Sequence, residues 1–90
     1  MESFGASKYF VVITQKEGEI LDFIMHTLER GVTKSEGVGA FTGEKKTMLH
    51  TVCSRREAVR LRSVIKQLDP DAFTIITTSS EIIGAGFMSA

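Results

Sequence analysis

Enzyme chemistry needs a nucleophile with its base, a metal-ligand set or a phosphate cradle. Few residues here are candidates. The histidines are His26 and His50, and the one cysteine is Cys53. His26 falls in a helical pattern with no ligand set around it and reads as an exposed or rim histidine. His50 falls in a strand pattern, on the same face as Met48 and Val52, where a histidine is normally packed and hydrogen-bonded. Cys53 sits in an apolar strand pattern and reads as a buried structural thiol. The three share no catalytic or metal motif, so no catalytic residue, metal or cofactor is expected, and the chain is not read as an enzyme.

Backbone and charge offer the other candidates. Residues 30–43, RGVTKSEGVGAFTG, carry four of the eight glycines. Gly37 and Gly39 are two apart, so in a strand they face one way and present bare backbone. That arrangement fits an irregular edge strand with a bulge. It also fits, less directly, close approach of a ligand or a partner's backbone. The stretch is no P-loop, since GxxxxGK[ST] is absent, and Gly37-Val-Gly39 lacks the third glycine of a dinucleotide fingerprint. Arg55 and Arg56 open a second helical pattern. They form either part of a solvated cationic face, offset by Glu57 and Asp69, or a pair that meets an anion where the helix dipole already favours one. No aromatic residues interleave with the arginines, which argues against a nucleic-acid strand.

The totals constrain the setting. Ninety residues make one domain, burying roughly 60–65% of the unfolded surface. Eleven basic and eleven acidic residues cancel, which removes the electrostatic case for nucleic acid or anionic membrane and favours association. A lone cysteine cannot form an internal disulfide and suits a reducing cytosol. No run approaches the ~20 apolar residues of a membrane helix, and residues 1–7 lack the charge and apolar core of a secretory signal. Residues 1–8 are read as a disordered leader, 9–87 as the domain and 88–90 as a frayed tail.

These residues must be positioned by six elements. The run YFVVI at 9–13 suits a central strand. Thr14 and Glu17 have capping-box spacing, and Ile20, Leu21, Ile24, Met25 and Leu28 form a helical stripe. The first helix is expected to end near Arg30, with Asp22, Glu29 and Arg30 on its wet side and Gly31 as the left-handed terminator. Residues 32–42 have strand character, 43–46 form a turn, and 47–53 form a third strand. Ser54 and Glu57 make a cleaner capping box. The second helix runs to Leu68 with Ala58, Leu61, Val64, Ile65 and Leu68 inward, and Pro70 stops it. Residues 72–78 form a fourth strand.

The order is β-α-β-β-α-β. Right-handed crossovers leave room for one strand inside each βαβ pair. Interleaving the two gives a ferredoxin-like α+β fold, with an antiparallel sheet ordered 4-1-3-2 and both helices on one face. The glycine strand is then an edge. The other face holds apolar residues that a small monomer hides poorly, so self-association is expected there.

Five segments in order now carry a resemblance: RGVT at 30–33, GVGAF at 37–41, SRRE at 54–57, DPDAF at 69–73 and EIIGAGF at 81–87. Together, across residues 10–87, they resemble the uncharacterised soluble domain at the C-terminus of YitT-type bacterial membrane proteins. Phe41 stands where tyrosine is expected, and Cys53 where an aliphatic residue is expected. The missing hydroxyl at 41 removes one polar contact to a ligand. The resemblance implies a domain related in shape to PII (GlnB-like) signalling proteins, trimers that bind nucleotides or small anionic effectors between subunits. It also implies a parent in the cell membrane, with this domain on the cytoplasmic side.

The leading expectation is a non-catalytic regulatory module. It would bind a small anionic or nucleotide-like ligand at an inter-subunit cleft and act on the membrane-embedded domain of its parent chain. Its contacts would come from Thr33, Gly37, Gly39 and Phe41, from Gly84, Gly86 and Phe87, and from Arg55 and Arg56. Glycines would admit the ligand, arginines would pair phosphate and Phe41 or Phe87 would stack. The alternative is a purely structural oligomerisation domain. A homo-oligomer follows either way, a trimer being favoured over a dimer.

Overall fold

A computed structural model describes residues 7–79. Strand β1 is Ser7–Ile13, helix α1 is Glu17–Asp22 and continues through a π-helical turn at Phe23–Thr27, and β2 is Thr33–Val38. Then come β3 (Lys45–Cys53), helix α2 (Arg55–Leu68) and β4 (Phe73–Ser79). The sheet is antiparallel in the order β2-β3-β1-β4, the expected 4-1-3-2 read from the other edge.

Alternation along the strands sends one set of side chains under the helices. Phe10 and Val12 of β1 and Leu49 and Cys53 of β3 are fully buried there. They pack with Ile20, Ile24 and Leu28 of the first helical segment and Ala58, Leu61 and Ile65 of α2. Each fully buried large aliphatic or aromatic side chain contributes about 1.5–3 kcal/mol, so this single layer accounts for most of the fold's driving force. Thr51 faces the same way and donates its hydroxyl proton to the Gly31 carbonyl at 2.8 Å, which ties β3 to the chain leaving the first helix.

Helix α2 starts as its sequence indicates. The Ser54 hydroxyl accepts from the Glu57 N–H at 3.2 Å, and the Glu57 carboxylate accepts from the Ser54 N–H at 2.9 Å. The first helix departs from expectation in three ways. Thr14 does not cap it: the helix starts at Glu17 itself, behind Lys16, so Glu17 is the first helical residue and cannot reach back as a third. The Thr14 hydroxyl instead accepts from the Lys16 N–H at 2.9 Å and donates to Asp69 at 2.6 Å, tying the start of α1 to the end of α2.

The first helix also ends earlier than expected. It widens to π spacing, with the Leu28 N–H on the Phe23 carbonyl at 3.0 Å, and is closed by a still wider bond from the Arg30 N–H to the Ile24 carbonyl, also at 3.0 Å. The left-handed terminator is Glu29, at φ 58°, and Gly31 has no positive φ. Because regular helix is over by residue 27, Arg30 escapes the helical period that assigned it to solvent. It turns inward, and its Nε donates to Glu57 at 2.9 Å with only 11% of the side chain exposed.

The glycine stretch divides. Gly37 lies in β2 opposite Lys46. Gly39 lies beyond the strand and closes the hairpin connection, donating to the Glu44 carbonyl at 2.8 Å and accepting from the Gly43 N–H at 2.7 Å. A Cβ at Gly39 would stand 3.1 Å from the Thr42 hydroxyl and 3.3 Å from the Lys46 side chain. Close packing within the hairpin therefore accounts for this glycine without a ligand.

Candidate functional site

The face of the sheet away from the helices is the candidate site. Registers fix its membership: Tyr9, Val11 and Ile13 from β1, Met48, His50 and Val52 from β3, Thr33, Ser35 and Gly37 from β2, and Phe73, Ile75 and Thr77 from β4. Tyr9, Phe73 and Ile75 are 37, 61 and 46% exposed, so a broad apolar surface faces outward.

His50 holds the middle of this face. Its Nδ1 lies 2.9 Å from the Tyr9 hydroxyl, and its Nε2 lies 2.7 Å from the Ser35 hydroxyl. The Tyr9 and His50 rings are stacked, with centroids 6.2 Å apart and 24° between planes. Both ring nitrogens are thus engaged, and one hydrogen-bonded chain links β1, β3 and β2. A hydroxyl can donate or accept while neutral imidazole offers one donor and one acceptor, so the chain is satisfied in either tautomer. Its effect is to pin three side chains flat on an otherwise greasy surface.

The other chemistry-bearing residues lie apart. Cys53 is fully buried. Burial and then the Glu57 charge push its thiol up to about 12, against the opposing pull of Arg30. Such a thiol is no nucleophile at neutral pH. His26 is exposed and lies 3.6 Å from Asp22, a carboxylate one turn earlier that does share its helix face. Among the described residues no group of three or more His, Cys, Asp or Glu side chains could hold a metal ion.

The residues singled out from sequence do not form one cluster within a subunit. Thr33 and Gly37 lie on the open face, where a Cβ at Gly37 would stand 3.2 Å from the end of Met48. Gly39 and Phe41 lie in the hairpin connection, and Phe41 is wholly exposed. Arg55 and Arg56 are exposed at the start of α2, directly after the far end of β3. Lys46 and Cys53 are seven residue steps apart along β3, about 23 Å at ~3.3 Å per residue. Gly84, Gly86 and Phe87 lie outside the described residues. The cations near the hairpin are Lys45 and Lys46. They line a cleft of about 450 Å³ that also holds Glu17, Glu44, Asp69 and Asp71, so its walls carry more acid than base.

Sequence reasoning missed Tyr9 and Ser35 as partners of His50. Tyr9 could have been found, because alternation and the strand order put it on the His50 face. Ser35 could not, since its pairing depends on the register of a strand weakened by glycine.

Fold and site together define a split β-α-β-β-α-β domain with helices on one face and, among the described residues, an uncovered, partly apolar sheet on the other. The chain belongs to the DUF2179 family, described as an uncharacterized protein conserved in bacteria, whose profile matches residues 30–84. It is 38% identical over 74 residues to the UPF0750 membrane protein YitT of Bacillus subtilis, a match covering 82% of this chain and 26% of that protein. Against the UPF0750 membrane protein YvjA of the same organism the identity is 34% over 87 residues, covering 97% of this chain and 31% of that one. The chain thus spans about a third or less of these two relatives. Among solved structures, a DUF2179 protein from Eubacterium ventriosum superposes with TM-score 0.67 at 28% identity, covering 79% of this chain and 97% of that one. A functionally unknown protein from Pediococcus pentosaceus gives TM-score 0.73 at 13% identity, with 89% and 98% covered, and shares the fold. The resemblance to YitT-type proteins is therefore met. Among the described residues no helix is long and apolar enough to cross a membrane.

Proposed function

We propose that this domain is a non-catalytic regulatory module of a bacterial membrane protein, and that it works by self-association through its open sheet face. One observation carries the reading: Tyr9, Phe73 and Ile75 are exposed on the same face of a regular sheet as the hydrogen-bonded His50. A surface of this kind gains from being covered, and the chain's zero net charge does nothing to keep copies apart. A trimer is favoured over a dimer. The buried, protonated Cys53 supports a non-catalytic role, and a lone cysteine suits the cytoplasmic side.

The test is the mass of the 90-residue chain in solution beside that of Val52→Glu. Val52 sits on this face near the end of β3, opposite Tyr9. The expected result is an oligomer of the 9.9 kDa chain whose mass falls in the variant with its circular dichroism unchanged. A wild-type monomer at every accessible concentration would overturn the reading.

A finer reading gives the assembly a ligand, small and anionic or nucleotide-like, held between subunits. The placement of Phe41 favours it: this aromatic side chain is wholly exposed, far from Arg55 and Arg56, so a site uniting them needs two copies. Binding at a hundred times the dissociation constant should stabilise the protein by roughly 2.7 kcal/mol, and Phe41→Ala should erase that gain. A screen of mononucleotides and cyclic dinucleotides with no thermal shift would leave the domain as a purely structural oligomerisation unit.

A further inference from the structure

The sheet has two edges, and they differ in how they meet solvent. Edge strand β2 carries the devices that stop strands from pairing further. Lys34 and Glu36 are charged, Lys34 is held at 3.1 Å by Glu17, and Gly37 breaks the side-chain row. Edge strand β4 carries none of them. Its seven residues, FTIITTS, contain no charge, no proline and no glycine, and three are isoleucine or phenylalanine. Phe73, Ile75 and Ile76 are 61, 46 and 38% exposed. Ile76 lies on the helix side, where a groove of about 280 Å³ runs between α2 and β4 over Ile65, Ala72 and Thr74. Natural sheets blunt a free edge with charge or irregularity because its unpaired N–H and C=O groups template another strand. Among the described residues one edge is blunted and the other is not.

We infer that β4 pairs antiparallel with β4 of a second copy, joining two four-stranded sheets edge to edge. The occupant follows from self-complementarity. In a two-fold contact each side chain meets residues of its own strand, so any charge in β4 would be brought near its twin. The copy offers a strand of equal length and β-branched character, and Ile76 of one chain reaches toward Ile76 of the other across the groove. Arg62 and Lys66 line that groove on α2. They flank the join in both copies, so added salt screens their repulsion and strengthens the contact. This contact is separate from the open face and does not depend on it.

The experiment is a cysteine series in the full chain, Thr74→Cys, Ile75→Cys, Ile76→Cys and Thr77→Cys, with Glu36→Cys on the guarded edge as control. Native Cys53 stays, since it is fully buried. Under mild oxidation, covalent dimer should peak at the β4 position nearest the two-fold axis and fall on either side. Directly opposed Cβ atoms approach to about 4.5–5.5 Å in an antiparallel pair. The peak should exceed the Glu36→Cys control severalfold. No β4 position rising above that control would overturn the inference. Repeating the series on Val52→Glu separates it from the open-face reading. An unchanged pattern supports an independent edge contact, and loss of every cross-link contradicts it.

Discussion

At the scale of single residues, Asp69 shows how a few polar contacts close the fold. Its carboxylate accepts the Thr14 hydroxyl at 2.6 Å and the Gln15 and Asp71 N–H groups at 3.2 Å. The Thr14 bond foremost, then those backbone N–H groups, hold its carboxyl below the ordinary value, against the opposing effect of burial. A depressed folded-state value means that the carboxylate's stabilising effect is complete above the unfolded value, about 3.9. It fades as pH falls through the lower, folded one. Thr14→Val should return the Asp69 titration, followed by NMR, toward the ordinary range and flatten the acid limb of the stability curve. The sequence pointed to Thr14 as a cap. It is instead a clasp between the start of α1 and the end of α2. No spacing rule could have shown this, because its partner lies 55 residues away.

At the scale of elements, the first helix teaches most. Most of its apolar stripe was legible: Ile20, Ile24 and Leu28 are buried as the period requires and Leu21 packs against them, but Met25, placed in the stripe by the same period, is exposed. Its end was not, because a π turn shifts the register and leaves Glu29 in the left-handed region at φ 58°. A non-glycine residue there costs roughly 1–2 kcal/mol, partly offset by the greater freedom a glycine has when unfolded. Glu29→Gly should therefore stabilise the domain by about 0.5–1 kcal/mol, read as a higher denaturant midpoint at unchanged slope. An unchanged or lower midpoint would mean that Glu29 makes a compensating contact. Helix α2 is the contrast: its capping box, its inward residues and its end at Leu68 all follow from local sequence. Local signals were readable wherever the element obeyed one period, and failed where the period changed.

For the molecule as a whole, the β-α-β-β-α-β order and right-handed crossovers were enough to reach the sheet order. The candidate site was half legible. Alternation placed His50 with Met48 and Val52 on one face. The hydrogen-bonded chain through Tyr9 and Ser35 depended on cross-strand register and was not legible. The glycine segment also changed meaning. Gly37 faces the open sheet, while Gly39 serves the hairpin, and the arginines stand at the other end of β3.

The proposed function requires that copies of the domain meet through the open face of the sheet. The most direct measurement is an isotope-filtered NOE experiment on a mixture of labelled and unlabelled chains. Intermolecular contacts are predicted at the methyl groups of Val11, Val52 and Ile75 and at the Tyr9 ring. Contacts confined to the outer face of α2, around the exposed Val59, or no intermolecular contact at all, would contradict it.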